Sequence, residues 1–300
     1  MKTQSDHHLS GVALSPLIIN LAPTGIVPTR KMSPRVPLQP EEIVQDVVAA
    51  AESGITIVHL HARDENDLPT HRKDVYASII AGIREHCPEL VICVSCSGRG
   101  AKTTEERAEV LDLSGDLRPD MASLTLSSMN FPRQASVNSP EVVRELAQRM
   151  HDRGIVPELE VFDLGMVNVI NYLQEHELIQ PPMYANLLFG NVATAQANLL
   201  EIGAVVSRLP DGVIWGVAGL GAAQLPMAAL GAGWASAVRI GLEDNLWLDA
   251  ARTRLATNLD LVHRTHCLAE ALGRPIMSPV QFRNLLGLER RPDLAPAAVA

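Results

Sequence analysis

The chain has 300 residues, 47% of them hydrophobic, 20% charged and 3% aromatic, with 34 Asp and Glu against 25 Lys and Arg and a formal net charge of −9. That apolar fraction can bury a sizeable core and excludes disorder, while four cysteines are too sparse for a disulfide-stapled mini-protein. The acidic, aromatic-poor balance argues against a nucleic-acid partner, and no apolar run reaches the ~18 residues of a membrane span. The first ten residues lack the positive cluster of a signal peptide, so a cytoplasmic protein with no membrane contact is expected.

Residues 1–15 read as a tail. Beyond them, short β-branched apolar runs recur at residues 16–23, 55–63, 90–97, 121–126, 156–163, 183–190, 213–220 and 235–244. Between these strands, helical spacing falls at residues 40–53, 73–87, 104–113, 140–153, 165–175, 193–208 and 222–231, with a last helix near 251–272. Thr103 and Ser139 offer capping hydroxyls, and Pro140 sits where a first-turn N–H is dispensable. Eight strand–helix alternations without a linker predict a single (β/α)8 barrel over residues 16–290, followed by a Pro- and Ala-rich tail, 291–300. The alternative, an open doubly wound sheet, lacks its usual glycine fingerprint: Gly98-x-Gly100 stands without the rest of the motif. Cys87, Cys93, Cys96 and Cys267 are expected to be buried small hydrophobes, with Cys93 and Cys96 on opposite faces of their strand.

In a barrel of this kind chemistry collects where the strands end at their C-terminal side. His59 and His61 are two apart on the second strand, so both rings leave one face with Cα atoms ~6.5–7 Å apart. By the same parity Arg239, Gly241 and Glu243 share a face of strand eight, close enough around the barrel for Glu243 to join the histidines. Two His and one carboxylate match a catalytic zinc site with an open position; iron and manganese accept the same donors, and a pair of ordinary core histidines is the bland alternative. Asp244 is then a carboxylate beside the metal, placed to act as a base with Arg239 holding it, or else to close the barrel rim as an Arg239–Asp244 ion pair. Glu160 is a candidate to support the histidines or to pair with an Arg, and Ser95 and Ser123 can meet a substrate carboxylate. His263-x-x-His266 falls on the outward final helix and reads as packing or surface. Two rival readings are an amidohydrolase-like metal hydrolase, disfavoured because the H-x-H ends strand two and strands five and six carry no His, and a non-catalytic metal or small-molecule binder.

The segments His59-Leu-His61-x-Arg-Asp, Ala22-Pro-x-Thr-Gly25, Pro157-Glu-x-Glu160, Val217-Ala-Gly-x-Gly221 and Val238-Arg-x-Gly-x-Glu-Asp-Asn245 together resemble the β-keto acid cleavage enzymes, among them the 3-keto-5-aminohexanoate cleavage enzymes. The resemblance runs from about Leu17 to Arg283. It implies a zinc-containing barrel, typically a homotetramer, that condenses a β-keto acid with acetyl-CoA to give acetoacetate and a new acyl-CoA. It further implies His59, His61 and Glu243 as zinc ligands, Asp244 as base, Arg239 as its orienting partner, and Ser95 and Ser123 at the substrate carboxylate. Thr24 and Val27 belong to the substrate loop after strand one. The aminohexanoate enzymes carry a Glu for the substrate amine where this chain has Val27, which implies an uncharged or apolar tail instead. By analogy with barrel phosphate sites, Gly219 and Gly221 are expected near the CoA phosphates.

Overall fold

The computed structural model describes residues 14–100 and 103–288. Eight parallel strands close into a barrel: β1 (Ile18–Leu21), β2 (Ile57–Leu60), β3 (Val91–Val94), β4 (Met121–Thr125), β5 (Val156–Val161), β6 (Met183–Phe189), β7 (Val213–Gly219) and β8 (Ala237–Ile240). Each pairs with its neighbours in sequence, and β1 closes on β8 with Asn20 beside Arg239. This is the expected (β/α)8 architecture.

Strand parity divides the apolar residues into two cores. Ile19, Leu21, Val58, Leu60, Ile92, Leu124, Leu159 and Val217 face outward and pack with the helices in one large cluster. Ile18, Ile57, Val91, Met121, Tyr184 and Ala237 face inward and fill the N-terminal end of the barrel. Burial on both faces explains why the strands read as nearly unbroken apolar runs.

The helical coat consists of α1 (Pro40–Ser53), α2 (Lys73–His86), α3 (Thr104–Ala108), α4 (Pro140–Asp152), α5 (Leu164–Glu175), α6 (Leu199–Val206), α7 (Gln224–Trp234), α8 (Asn258–Ala271) and α9 (Pro279–Leu286). The foreseen caps form, with Thr103 accepting from Glu106 N–H and Ser139 from Val142 N–H. Several boundaries differ from the pattern. The third helix ends at Ala108 and continues as a 3-10 turn over Glu109–Asp112. The sixth starts late because Asn198 caps it, and the eighth starts late because Thr257 and Asp260 form a capping box. Helix α9 was not anticipated. It lies across the barrel base, where Phe282 meets Tyr184 edge-on at 5.5 Å and the fully buried Arg283 bonds to Asp120.

Strand eight is shorter than its apolar pattern. It stops at Ile240 because Gly241 takes φ +142° and lies so close to β1 that an added Cβ would stand 2.0 Å from the Ala22 carbonyl oxygen. Glu243 and Asp244 therefore project from a turn rather than from the strand face assumed for Glu243. Cys93 and Cys96 are free and join the inner and outer cores respectively, whereas Cys87 is half-buried and Cys267 exposed, so only two of the four behave as buried hydrophobes. Among the described residues no helix is long and apolar enough to cross a membrane. Apart from Leu14 and Ser15, the expected tails 1–15 and 291–300 lie outside the described residues.

The base plug makes a stability prediction. Phe282→Ala empties the underside of the barrel and should cost about 3–5 kcal/mol, read as a lowered midpoint in urea unfolding; a shift below about 1 kcal/mol would show that α9 is not part of the barrel core.

Candidate active site

Above the apolar base the barrel interior turns polar. His59 and His61 leave the end of β2 with ring centroids 5.2 Å apart, and Glu243 Oε1 reaches to 3.3 Å from His61 Nε2. One ligand atom from each of His59, His61 and Glu243 lies within 4.8 Å of the others. The second oxygen of Glu243, Oε2, is buried with no hydrogen-bond partner among the described residues. An unpaired carboxylate oxygen in a dry site is costly unless a ligand satisfies it. The donor set and this orphaned oxygen fit a divalent metal ion.

The histidines owe their orientation to a residue that sequence reading missed. Glu158 Oε2 stands 2.5 Å from His59 Nδ1, while Asn20 and Asn186 each donate an amide N–H to Glu158 Oε1 at 2.6 Å and Cys93 Sγ lies 3.3 Å from Oε2. Burial works against ionised Glu158, yet His59, Arg239 and Asn20 outweigh it and bring its pKa down to about 2. Burial likewise disfavours charge on His59, but the neighbouring Glu158 carboxylate turns the net shift upward. Held by Nδ1, the ring keeps Nε2 for a ligand. His61 lacks such a partner, and burial takes its pKa down to about 4 against the pull of Glu243.

Glu160 does not support the histidines. Register across β4 and β5 sets it beside Thr125, whose hydroxyl donates to Oε2 at 2.6 Å, and Arg239 Nη1 approaches Oε1 at 3.5 Å. The role foreseen as one of two options for Glu160 at the histidines belongs to Glu158, two residues earlier on the same face.

Arg239 is the hub of the upper layer. Its Nε donates to Asp244 Oδ2 at 3.0 Å and its Nη2 lies 2.8 Å from Glu243 Oε1. Glu243 is held well below the usual carboxylate range: burial opposes ionisation, and His61 and Arg239 overcome it. Asp244 moves the other way, raised by burial and by the charge of Glu243 despite its bond to Arg239. Two adjacent carboxylates thus acquire opposite tendencies, one suited to remaining an anion and one to taking up a proton.

These groups floor a cavity of about 740 Å³ whose wall includes His61, Arg239, Glu243 and Asp244. Ser95 lines it, with its hydroxyl accepting from Ser97 N–H. Ser123 does not line it: its hydroxyl accepts from Cys96 N–H at 3.1 Å, and Thr125, one pleat further up β4, faces the cavity instead. Thr24 is fully buried and donates to the Pro37 carbonyl, which fixes the loop carrying Ile26 and the exposed Val27 onto the wall. Gly219 lies behind the wall, where a Cβ would stand 2.2 Å from the Ala223 carbonyl. Gly221 is on the wall, but its N–H already donates to the Asp244 carbonyl at 2.7 Å, so this amide is not free for a phosphate. His266 bonds to the Gly54 carbonyl and His263 lies 3.5 Å from Ser53, both outside the cavity as expected.

Asn20 and Glu158 read in the sequence as polar residues near strand ends and Asn186 as a polar residue within an apolar strand, but no spacing marks any of them as partners of His59. Arg99, Thr125 and Arg252 are among the wall residues to which the sequence pattern assigns no role.

Residues 16–288 match the family model described as beta-keto acid cleavage enzyme. A 3-oxoadipate:acetyl-CoA acetyltransferase of Cupriavidus necator is 37% identical over 276 residues, covering 91% of this chain and 95% of that protein. A 3-keto-5-aminohexanoate cleavage enzyme of Fusobacterium nucleatum is 34% identical over 275 residues, covering 91% of this chain and 98% of its own length. Among solved structures, ObcA in a binary complex with oxaloacetate superposes with a TM-score of 0.77 at 21% identity, over 85% of this chain and 68% of that one, a likeness of fold. The family match spans the whole barrel and includes His59, His61 and Glu243, and the chain belongs to the β-keto acid cleavage enzyme family.

Proposed function

We propose that this enzyme condenses a β-keto acid with acetyl-CoA and releases acetoacetate and a new acyl-CoA, with zinc held by His59, His61 and Glu243. The observation that carries the reading is the division of labour at the barrel mouth: three side chains converge as ligands, while the adjacent buried Asp244 is held by Arg239 and left out of the cluster. When bound, zinc supplies Lewis acidity that polarises the keto group and acidifies the neighbouring carbon.

The residues of the chain then account for proton transfer and positioning. Asp244, its Oδ2 anchored by Arg239, takes the α-proton on Oδ1. The α-carbon forms a bond to the thioester carbonyl carbon of acetyl-CoA, and CoA leaves as its thiolate. That thiolate attacks the original keto carbon, the bond between this carbon and the α-carbon breaks, and the new acyl-CoA forms. Asp244 returns the proton to the α-carbon, giving acetoacetate, so the base ends as it began. Arg239 keeps Asp244 and Glu243 apart in function by compensating charge on both. Ser95, whose hydroxyl accepts from Ser97 N–H and keeps its own proton to donate, offers a contact for the substrate carboxylate. Arg252, on the rim beside Gly221 and without an ion pair among the described residues, is suited to CoA phosphates.

Ile26 and Val27 present no carboxylate to an amine, which supports a substrate that lacks one. Assembly as a homotetramer belongs to the same reading; the exposed Leu199 and Leu200 on α6 offer an apolar surface for contact with another subunit. A reducing cytoplasm suits the four free cysteines.

The direct test incubates the purified protein with acetyl-CoA and a panel of β-keto acids and follows acetoacetate and acyl-CoA by mass spectrometry, alongside elemental analysis for zinc. Absence of a stoichiometric divalent metal, or of acetoacetate with every acid, would overturn the proposal. Asp244→Asn should keep its metal but lose about 10²–10⁴-fold in kcat, whereas a merely metal-binding barrel would bind ligands unchanged. Glu158→Gln should weaken metal retention against a chelator by about 10- to 100-fold, because His59 loses the anion that orients it.

A further inference from the structure

One cation on the cavity wall is not used by the chemistry above. Arg99 lies on the loop leaving β3, half-buried, four residues past Ser95. Its guanidinium sits over the Phe131 ring, 4.0 Å from the centroid. Among the described residues it makes no side-chain hydrogen bond or ion pair, although Arg84, Arg107, Arg239 and Arg283 all do. Burial lowers its pKa against the more distant attraction of Glu243, Glu160 and Asp244. A guanidinium stacked on an aromatic face has its planar fork of N–H donors fixed in orientation and still available. A partly buried guanidinium with no carboxylate partner is poorly compensated, so its natural complement is an anion brought in by a ligand.

We infer that Arg99 is the specificity residue for the substrate tail, and that this enzyme takes β-keto acids bearing a second carboxylate. The inference rests on the proposed reaction. Three anions can enter this cavity: the carboxylate next to the reacting carbon, the phosphates of CoA, and a charged tail. The first has the Ser95 hydroxyl, on the wall of the same cavity as His61 and Glu243. The second has Arg252 on the rim, at Gly221 in the loops after β7 and β8. Arg99 stands on the β3 side of the cavity, against the hairpin that carries Met129 and Phe131. Ile26, Val27, Met129 and Phe131 line the same cavity, which thus offers apolar contacts together with the Arg99 guanidinium, the complement of a short alkyl chain ending in a carboxylate. Val27 alone suggests an apolar tail; Arg99 gives that tail an anionic end.

The experiment compares a six-carbon β-keto diacid with the β-keto monoacid of equal length in the wild type, Arg99→Gln and Arg99→Lys. Wild type should prefer the diacid. In Arg99→Gln the diacid-to-monoacid ratio of kcat/KM should fall about 10- to 100-fold, mainly through KM, the size expected for a lost hydrogen bond to a charged group. Arg99→Lys should restore part of that preference. Equal losses on both substrates, or no loss on the diacid, would overturn the assignment. Calorimetric binding of the same two acids without acetyl-CoA separates the two proposals. If neither acid is cleaved, the proposed reaction fails, while a selective loss of diacid binding in Arg99→Gln still supports Arg99 and an unselective one refutes it.

Discussion

Burying four carboxylates at the mouth of one barrel is the constraint on which the rest depends. Glu158, Glu160, Glu243 and Asp244 all stand in or just above the interior, and the buried Arg239 pairs directly with three of them, Glu160, Glu243 and Asp244. Burial of an ion costs several kcal/mol even after relaxation, and pairing recovers this only where geometry is good. The arrangement answers the cost locally. Glu158 is neutralised by His59 and two amides, Glu160 by Thr125 and the edge of Arg239, and Glu243 shares Arg239 with Asp244. What remains uncompensated is one oxygen of Glu243, a residue whose carboxylate clusters with the two histidines, which is why the site suits a divalent cation better than a further protein side chain.

The barrel separates this electrostatically loaded end from an apolar one. Ile18, Ile57, Val91 and Met121 form the lower layer, and α9 closes it with Phe282. A plugged base can carry stability while the open end accommodates groups that oppose it, so the two tasks fall on different residues of the same strands. On β1, Ile18 belongs to the base and Asn20, one pleat up, belongs to the site.

Most of the architecture was legible because parallel strands buried on both faces leave regular apolar runs. The pair His59 and His61 was legible for a similar reason, a period of two at a strand end. Strand parity alone does not bring Glu243 to the histidines: the strand ends at Ile240, and the turn at Gly241 delivers the side chain instead. Glu158 and Glu160 have the same parity, and no local pattern says which of them reaches His59; that depends on the stagger accumulated across β3 and β4 between them. Arg99 carried no periodic signal, since a charged loop residue normally reads as solvated surface. Helix α9 is short, and its apolar face becomes meaningful only once the barrel exists for it to close.

Two glycines give this site an uneven capacity for change. A Cβ at Gly25 would stand 2.5 Å from Glu243 Cγ, and Gly241 touches the β1 backbone just as closely, so the loops after β1 and β8 are interlocked through the absence of side chains. Immediately after Gly25 come Ile26 and Val27, which face open cavity. Diversification of substrate range can therefore proceed at adjacent positions while the Glu243–histidine cluster stays fixed: within three consecutive residues the chain passes from a position crowded against Glu243 to positions free to vary.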